Sequence, residues 1–508
     1  MNDDNRAQHA VDGLFSPIES GDGLRARSVR GGTLSLIAQG AKFASMAVTT
    51  IALARILTPA DFGIVAFAMA FVSIGYLFKD LGLGDATVQR PVITREQVSN
   101  LVWWSILIGL GVSMLLAGVA FGVGLFVEDP RFVPVMAALS LLALFGGLTL
   151  QHQALLRRTM RFRALAIVEI TASVSAAICS ITAGLLGAGV WALVLFQLTL
   201  SAVIAAGVWI AAGWRPQRPS RGTGSGRMLL FGVHLTTSNS LRILIHSLDK
   251  ALVFWKNGAE GLGYYSKAYN LLILPIQQLT LPIHGVAVAA MSRITEDGPR
   301  YRSYYRRGLL MLASAAFPGL GWFTVSANHI IPIALGDQWG SSILLFRLLA
   351  PAGLATALDA SVMWVYVTSG RADRQFKWGL GSTIVAVIAL FIGANWGAPG
   401  IATTLSIVLV CARIAEYPYC YRGAGITMGT LVSALWRPAL ATAGAVAVTW
   451  FVSGSLPVDL GDIVSVLIEA GVFGVVYAGI WVLAPGGLGE VGQALSLLGD
   501  LRPTKTDR

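Results

Sequence analysis

Residues 101–127 read LVWWSILIGLGVSMLLAGVAFGVGLFV, a run of 27 residues without a charged side chain. A hydrocarbon core about 30 Å thick is crossed by about 20 apolar helical residues, so this stretch is long enough to span a membrane. The rest of the chain agrees, since 55% of its 508 residues are hydrophobic and only 12% are charged. Soluble domains carry about 25% charged residues. The composition therefore excludes a soluble globular protein and predicts an integral membrane protein.

Similar apolar stretches recur along the chain and predict an all-α polytopic membrane protein with about fourteen transmembrane helices. The first, seventh and eighth stretches are the least apolar, because they carry charged or many polar side chains. The predicted spans are 33–57, 62–84, 101–127, 135–156, 166–187, 190–213, 229–255, 263–289, 308–332, 343–368, 377–396, 399–419, 438–455 and 462–484.

The loops between these spans alternate in charge. One set is rich in arginine, as at Arg157 and Arg158, whereas the other set contributes only Arg131 and Lys256. Because positively charged loops stay in the cytoplasm, both termini are predicted to be cytoplasmic. The first thirty residues are polar, so we expect no cleavable signal peptide.

The predicted outer loops are short, about ten residues or fewer. They leave no room for the catalytic groups of an enzyme that works on the outer face. The chain shows no Ser-His-Asp, paired-carboxylate or metal-ligand pattern, and its three cysteines form no CxxC motif. We therefore expect no enzyme activity, no cofactor and no metal. The net charge of +11 is spread over loops rather than gathered in a patch, so nucleic acid is not an expected partner.

Three pairs of similar segments recur at a separation of roughly two hundred residues, which predicts that six helices repeat as six in the same orientation. Parallel repeats of this kind are a transporter architecture with the substrate site between the halves. The paired segments are 58–63 with 257–263, 127–130 with 335–338, and 187–192 with 397–402. The predicted organisation is a polar tail 1–30, a lobe 31–213, a linker 214–228, a second lobe 229–419, two further helices within 420–484 and a tail 485–508.

Three segments resemble signatures of the Wzx-type polysaccharide-unit flippases, which belong to the multidrug/oligosaccharidyl-lipid/polysaccharide exporter superfamily. They are 54–63 (ARILTPADFG), 248–275 with its run GYYSKAYN, and 335–339 (LGDQW). The resemblance covers about residues 30–450 and is closest to the colanic-acid and exopolysaccharide branch. Two departures lie in the seventh helix, where Ser247 replaces a usual Asn and a usual Gly near Phe254 is missing.

This resemblance implies a fourteen-helix, two-lobed protein of the bacterial cytoplasmic membrane. It also implies a substrate, an undecaprenyl-diphosphate-linked oligosaccharide that moves from the inner to the outer leaflet. Expected partners are this lipid-linked oligosaccharide, membrane lipids, and a polysaccharide polymerase with its chain-length regulator; we expect a monomer. The alternatives are a drug or cation antiporter of the same superfamily and, from another class, a membrane glycosyltransferase or polymerase.

Seven basic residues lie within the predicted spans, where an ionised group costs at least ~2.5–3.5 kcal/mol unless it faces a cavity or a partner. A diphosphate is doubly anionic, and Arg and Lys are the side chains that bind it. Six of the seven are predicted to bind substrate, with Lys42 and Arg242 the deepest; Arg413 lies near the cytoplasmic end and is expected to snorkel. The predicted substrate-binding residues are Lys42, Arg55, Arg242, Lys250, Lys267 and Arg347.

Polar side chains recur at three- and four-residue spacing on two of the spans, as expected for helices that line a wet cavity. In a two-lobed fold these two helices would face each other across that cavity. The seventh span carries Asn239, Arg242, His246, Asp249 and Lys250, and the first carries Gln39, Lys42, Ser45 and Thr49.

Some of these charges also have a structural explanation. Arg55 and Lys267 lie near helix ends, where long side chains can snorkel. Asp249, Glu169 and Asp359 are candidate sites for coupling to H⁺ or Na⁺, and Glu416 is a further candidate. Structural ion pairs are the alternative for several charges: Arg55 with Asp61, Asp249 with Lys250, and Arg347 with Asp359.

Overall fold

The computed structural model describes residues 23–80, 82–90, 93–220, 225–455 and 461–485. Within these residues the chain is helical and contains no β-strand, which confirms the predicted all-α polytopic class. The chain divides into two compact units, Met1–Gly263 and Tyr264–Arg508. The predicted lobes divide earlier, at the linker 214–228, and their boundaries stay a prediction.

The described part of the first unit contains seven helices and the first part of an eighth, up to Gly263. The long eighth helix departs from helical geometry at Gly258 and continues into the second unit. The helices are α1 (Gly23–Ile56), α2 (Pro59–Asp80), α3 (Leu83–Gln89), α4 (Arg95–Gly124), α5 (Phe132–Arg158), α6 (Phe162–Leu185), α7 (Val190–Ala212) and α8 (Ser225–Met291).

The second unit continues with seven more helices over its described residues. A short 3₁₀ turn, Asp337–Trp339, separates the third of these helices from the second. The helices are α9 (Gly298–Val325), α10 (Ala327–Leu335), α11 (Ser341–Thr368), α12 (Ala372–Gly393), α13 (Gly397–Tyr421), α14 (Met428–Ser453) and α15 (Asp462–Leu483).

Eleven helical stretches in the described part of the chain are long and apolar enough to cross a membrane. Two of them, Ile243–Met291 and Ala372–Tyr421, contain 49 and 50 residues. At about 1.5 Å per residue each is more than twice as long as a bilayer core is thick. The first breaks at Gly258 and the second between α12 and α13. Each predicted span overlaps at least one helix, two of them (229–255 and 263–289) lie on α8, and the count of fourteen stays a prediction.

Glycine forms the turns at both members of one predicted repeat pair. Gly187 and Gly189 have φ values of 80° and 55° between α6 and α7, and Gly397 has a φ of 65° between α12 and α13. Glycine reaches positive φ without the steric cost that a Cβ atom brings. The chain can therefore reverse within a few residues at both positions, and the paired helices pack side by side.

The start of α2 packs against the part of α8 that follows its break. A Cβ atom added to Gly63 would overlap the carbonyl oxygen of Ala259, and one added to Gly263 would overlap the carbonyl oxygen of Pro59. At an offset of 200 residues, Gly63 matches Gly263 and Pro59 matches Ala259, so the contact is reciprocal. Two segments that the sequence repeat pairs thus lie against each other within the first unit.

Each unit has a buried core of its own. In the first unit Leu101 of α4 and Leu155 of α5 pack in one cluster with Trp214. In the second, Tyr305 of α9 and Tyr421 of α13 are buried, and their hydroxyl oxygens lie 2.8 Å apart. The pairing satisfies two polar groups that would otherwise be buried without a partner.

Candidate functional site

The polar stripe of α1 faces α6 within the first unit. Lys42 Nζ lies 3.8 Å from Glu169 Oε2, and the two side chains are 41% and 27% exposed. One turn further on, Ser45 Oγ donates to the carbonyl oxygen of Ser173 at 3.3 Å. A predicted substrate-binding residue and a predicted ion-coupling residue therefore form one partly exposed ion pair.

The second stripe, on α8, is built around a buried carboxylate. Asp249 is 1% exposed, and its Oδ2 lies 3.7 Å from Nδ1 of His246. The backbone N–H of Lys250 donates to Asp249 Oδ1 at 2.5 Å, while the Lys250 side chain is half-buried. Within the described residues, the Asp249 carboxylate thus lies beside the His246 imidazole, and its recorded contact with Lys250 is through the backbone N–H of that lysine. The side chain of Arg242 lies outside the described part of the chain.

The two departures from the family pattern have defined contacts. Ser247 Oγ donates to the carbonyl oxygen of Ala70 on α2 at 3.0 Å. Phe254 stacks on Phe67 of α2, with ring centroids 3.9 Å apart and planes 3° from parallel. Ser247 and Phe254 therefore fasten α8 to α2.

Arg55 is exposed in the last turn of α1. The neighbouring carboxylate, Asp61, accepts hydrogen bonds from the backbone N–H and the hydroxyl of Thr58, at 3.1 and 2.8 Å. Its other oxygen accepts from Arg131 Nη1 at 2.9 Å. Asp61 thus caps the start of α2 and ties it to the start of α5.

Arg131 is one of the two basic residues predicted for the outer loops, and it holds two carboxylates. Besides Asp61, its guanidinium binds both oxygens of Asp129, at 3.0 and 2.8 Å. Bidentate contacts of this kind favour the charged forms of both groups. They lower the pKa of Asp129 and raise the pKa of Arg131.

Lys267 lies where two of the family signatures meet. Its side chain is 5% exposed, and Nζ lies 5.7 Å from the ring centroid of the buried Trp339. Tyr264 meets the same ring edge-on at 6.0 Å, and its carbonyl oxygen accepts from Ser342 Oγ at 3.1 Å. A snorkelling lysine would expose its amino group, so the snorkelling alternative for Lys267 is wrong. The residue joins α8 to the turn before α11.

Arg347 binds the end of a neighbouring helix. Its Nε and Nη2 donate to the carbonyl oxygens of Thr324 and Val325, the last residues of α9, at 3.2 and 3.4 Å. Its guanidinium also lies 4.7 Å from the ring centroid of Trp450. The alternative ion pair with Asp359 is not formed, because the two residues are twelve positions apart on α11, about 18 Å along the helix. A cation at a helix C-terminus complements the helix dipole.

Arg413 is mostly buried and bridges two carboxylates. Its Nη2 lies 2.5 Å from Asp359 Oδ1 and its Nη1 lies 2.5 Å from Glu416 Oε2, with 15% of its side chain exposed. The expectation that Arg413 snorkels is therefore wrong. Its pairing with α11 also gives Asp359, a predicted ion-coupling residue, a cationic partner on α13. The cluster carries one cation and two carboxylates.

One pair of titratable residues was missed by the sequence analysis. His329 Nδ1 of α10 lies 3.2 Å from Glu469 Oε1 of α15, and Glu469 is fully buried. A lone Glu in the apolar stretch 462–484 was the available signal, since an acidic group within a span is costly without a partner. The part of the chain that the structure describes holds no cluster of three or more potential metal ligands.

The fold and these sites define the class of the molecule: a multi-pass α-helical membrane protein whose apolar helices carry charged side chains. The structure of a lipid II flippase, MurJ in an inward closed conformation, has the same fold, with a TM-score of 0.71 at 12% identity. The match covers 88% of this chain and 98% of that one.

The sequence profile of the family described as polysaccharide biosynthesis protein matches residues 52–344, and the chain belongs to this family. The lipopolysaccharide biosynthesis protein WzxC of Escherichia coli is 23% identical over 419 residues, 82% of this chain and 85% of the relative. The teichuronic acid biosynthesis protein TuaB of Bacillus subtilis is 25% identical over 63% of this chain and 66% of the relative. The resemblance drawn from the three sequence segments is confirmed.

Proposed function

We propose that this protein flips undecaprenyl-diphosphate-linked oligosaccharide units from the inner to the outer leaflet of the bacterial cytoplasmic membrane. The units would serve exopolysaccharide, O-antigen or capsule synthesis. Membership of the polysaccharide biosynthesis family and the similarity to WzxC support the saccharide class of the substrate. The fold shared with a lipid II flippase supports the transfer of a lipid-linked saccharide rather than its synthesis.

The observation that carries the proposal is how the basic side chains on the apolar helices differ in their contacts and exposure. Lys267, Arg347 and Arg413 are engaged with aromatic rings, helix ends or carboxylates. The Lys42 side chain is 41% exposed beside Glu169, against 15% for Arg413, and the half-buried Lys250 contacts Asp249 through its backbone N–H. An ammonium group held in this way is suited to a diphosphate, which brings its own negative charge.

In this proposal Lys42, Lys250 and Arg242 contact the diphosphate while the polyprenyl chain stays in the bilayer. The two predicted lobes alternate between access to the cytoplasm and access to the outside. We propose that both termini are cytoplasmic, as the arginine-rich loops predict. We further propose that the protein acts as a monomer that passes its product to a polymerase and a chain-length regulator.

The test is depletion of the protein in its host while the lipid-linked units are followed. Complete units are expected to accumulate on the inner leaflet and to reach the outer leaflet again when the wild-type chain is restored. If the units reach the outer leaflet at normal rates without the protein, the proposal fails. A defect in assembling the units, rather than in moving them, would indicate the glycosyltransferase class instead.

A further inference from the structure

Glu469 is a fully buried carboxylate with few partners. It lies in α15, and its Oε1 accepts a hydrogen bond from Ser453 Oγ of α14 at 2.6 Å. Nδ1 of His329 lies 3.2 Å from the same oxygen. The second oxygen, Oε2, is buried and has no hydrogen-bond partner among the described residues. A buried carboxylate that is incompletely satisfied needs an explanation.

The other charged groups near Glu469 do not bind it directly. Arg347 interacts with it electrostatically, but the guanidinium donors of Arg347 are directed to the end of α9 and its face to Trp450. On the elements that pack against α15, the remaining titratable or charged groups lie far along their helices. They are Arg437 on α14, sixteen positions from Ser453, and the arginines and tyrosines of α9, of which Arg307 is the nearest to the end of that helix, eighteen positions from its last residue.

On α15 itself the titratable residues are Asp462 and Tyr477, seven and eight positions from Glu469. They lie about 11 Å and 12 Å along the helix. On α10, His329 is the one titratable residue. Among the described residues, His329 is therefore the nearest titratable partner of Glu469.

A carboxylate and an imidazole in the interior are best satisfied when they hold one proton between them. Without that proton the carboxylate keeps a full negative charge away from water, which is costly. With it the pair is either an ion pair or two neutral groups, the imidazole and a protonated carboxyl. The His329 side chain is 23% exposed, and binding or release of the proton needs no covalent change in the chain.

From this geometry we propose that Glu469 and His329 form a proton-binding site whose occupancy couples transport to the transmembrane pH difference. The site joins α10, which carries His329, to α15, which carries Glu469. It also bears on α9, because α10 begins next to the end of α9, where Arg347 is bound. A change of charge at Glu469 thus acts on the packing of α10 against α15. This coupling rests on the proposed transport function, and the proton site itself does not.

The proton site is tested on the full-length protein in detergent by infrared difference spectroscopy between about pH 5 and 8, the range in which imidazole titrates. We expect one carboxyl band to appear or shift with pH in the wild type and to be absent in Glu469→Gln. Ser453→Ala keeps both titratable groups and should move the midpoint while leaving the band. Identical spectra for the wild type and both variants overturn the proposal.

Coupling is tested in vesicles that contain a polyprenyl-diphosphate saccharide, with and without a pH difference across the bilayer. We expect the transport rate of the wild type to change several-fold when the pH difference is applied, and the rate of Glu469→Gln to stay the same. The exposed control Glu128→Gln should show the same change as the wild type. Equal gradient dependence in Glu469→Gln overturns the coupling while transport stands. Absence of transport in the wild type overturns the proposed function, and the infrared result then decides the proton site alone.

Discussion

Gly63 lies against the backbone of Ala259, and the matching glycine two hundred residues later, Gly263, lies against the backbone of Pro59. Each glycine permits a close approach that a side chain would prevent. The relation is reciprocal, which is the signature of two related segments meeting about an approximate two-fold axis. It gives a physical reason why glycine stands at both positions.

Replacing Gly63 or Gly263 by Ala should destabilise the protein, because the new Cβ atom would overlap a carbonyl oxygen that cannot move independently of its helix. Overpacking of this kind costs about 1–3 kcal/mol, or more against backbone. Gly118→Ala in α4 is the matched control, since nothing lies within 4 Å of a Cβ atom there. Thermal unfolding in detergent should show lower midpoints for the first two variants and an unchanged or higher midpoint for the control.

Lys250→Gln should reduce transport while leaving the protein folded. A charge-assisted hydrogen bond contributes about 1.5–3 kcal/mol, so we expect a loss of roughly 10- to 100-fold in the rate at limiting substrate. Lys256→Gln is the control, because this lysine lies on the same helix six positions later and is exposed. Transport is measured in vesicles with a polyprenyl-diphosphate saccharide. Equal rates for both variants would remove Lys250 from the binding site.

Exchanging the charges of Lys42 and Glu169 distinguishes a structural role of Lys42 from a substrate-binding role. Lys42→Glu combined with Glu169→Lys restores opposite charges at 3.8 Å but moves the cation from α1 to α6. A pair as exposed as this contributes about 0.2–1 kcal/mol, so stability should return to the wild-type value in the double variant. Transport should stay low if Lys42 contacts the diphosphate. Full recovery of transport would show that only the pair matters.

The sequence predicted the helices well but the partners of their charges poorly. Apolar runs and arginine-rich loops are local features of the sequence, so the spans and the all-α class can be predicted without knowing which helices pack together. The partner of Lys42 is 127 positions away on α6, and the partner of Asp359 is 54 positions away on α13. Such pairings depend on which helices pack together, and periodicity along one helix carries no information about that. The alternative ion pair of Arg347 with Asp359 was wrong because twelve positions, although close in sequence, correspond to about 18 Å along a helix.

Acid should weaken the ion pair between Asp129 and Arg131 in the loop that precedes α5. Binding by Arg131 lowers the pKa of Asp129 in the folded protein, so the carboxylate contributes stability above its unfolded value of about 3.9 and loses it as the pH falls through the folded value. Asp129→Asn should therefore unfold at a lower temperature than the wild type at neutral pH, and the difference should narrow below about pH 4. A difference that does not change between neutral and acidic solution would contradict this assignment.

Arg413 should be indispensable for folding only while both of its carboxylates are charged. Arg413→Met leaves Glu416, whose side chain is 9% exposed, without its cation. Breaking a buried pair by removing one partner costs about 3–5 kcal/mol. Adding Glu416→Gln removes the uncompensated charge, so the double variant should recover much of this loss, whereas Arg413→Met combined with the exposed change Glu128→Gln should not. The free energies of unfolding of these three variants, of Glu416→Gln alone and of the wild type give the coupling directly. Additive losses would show that Arg413 acts through Asp359 alone.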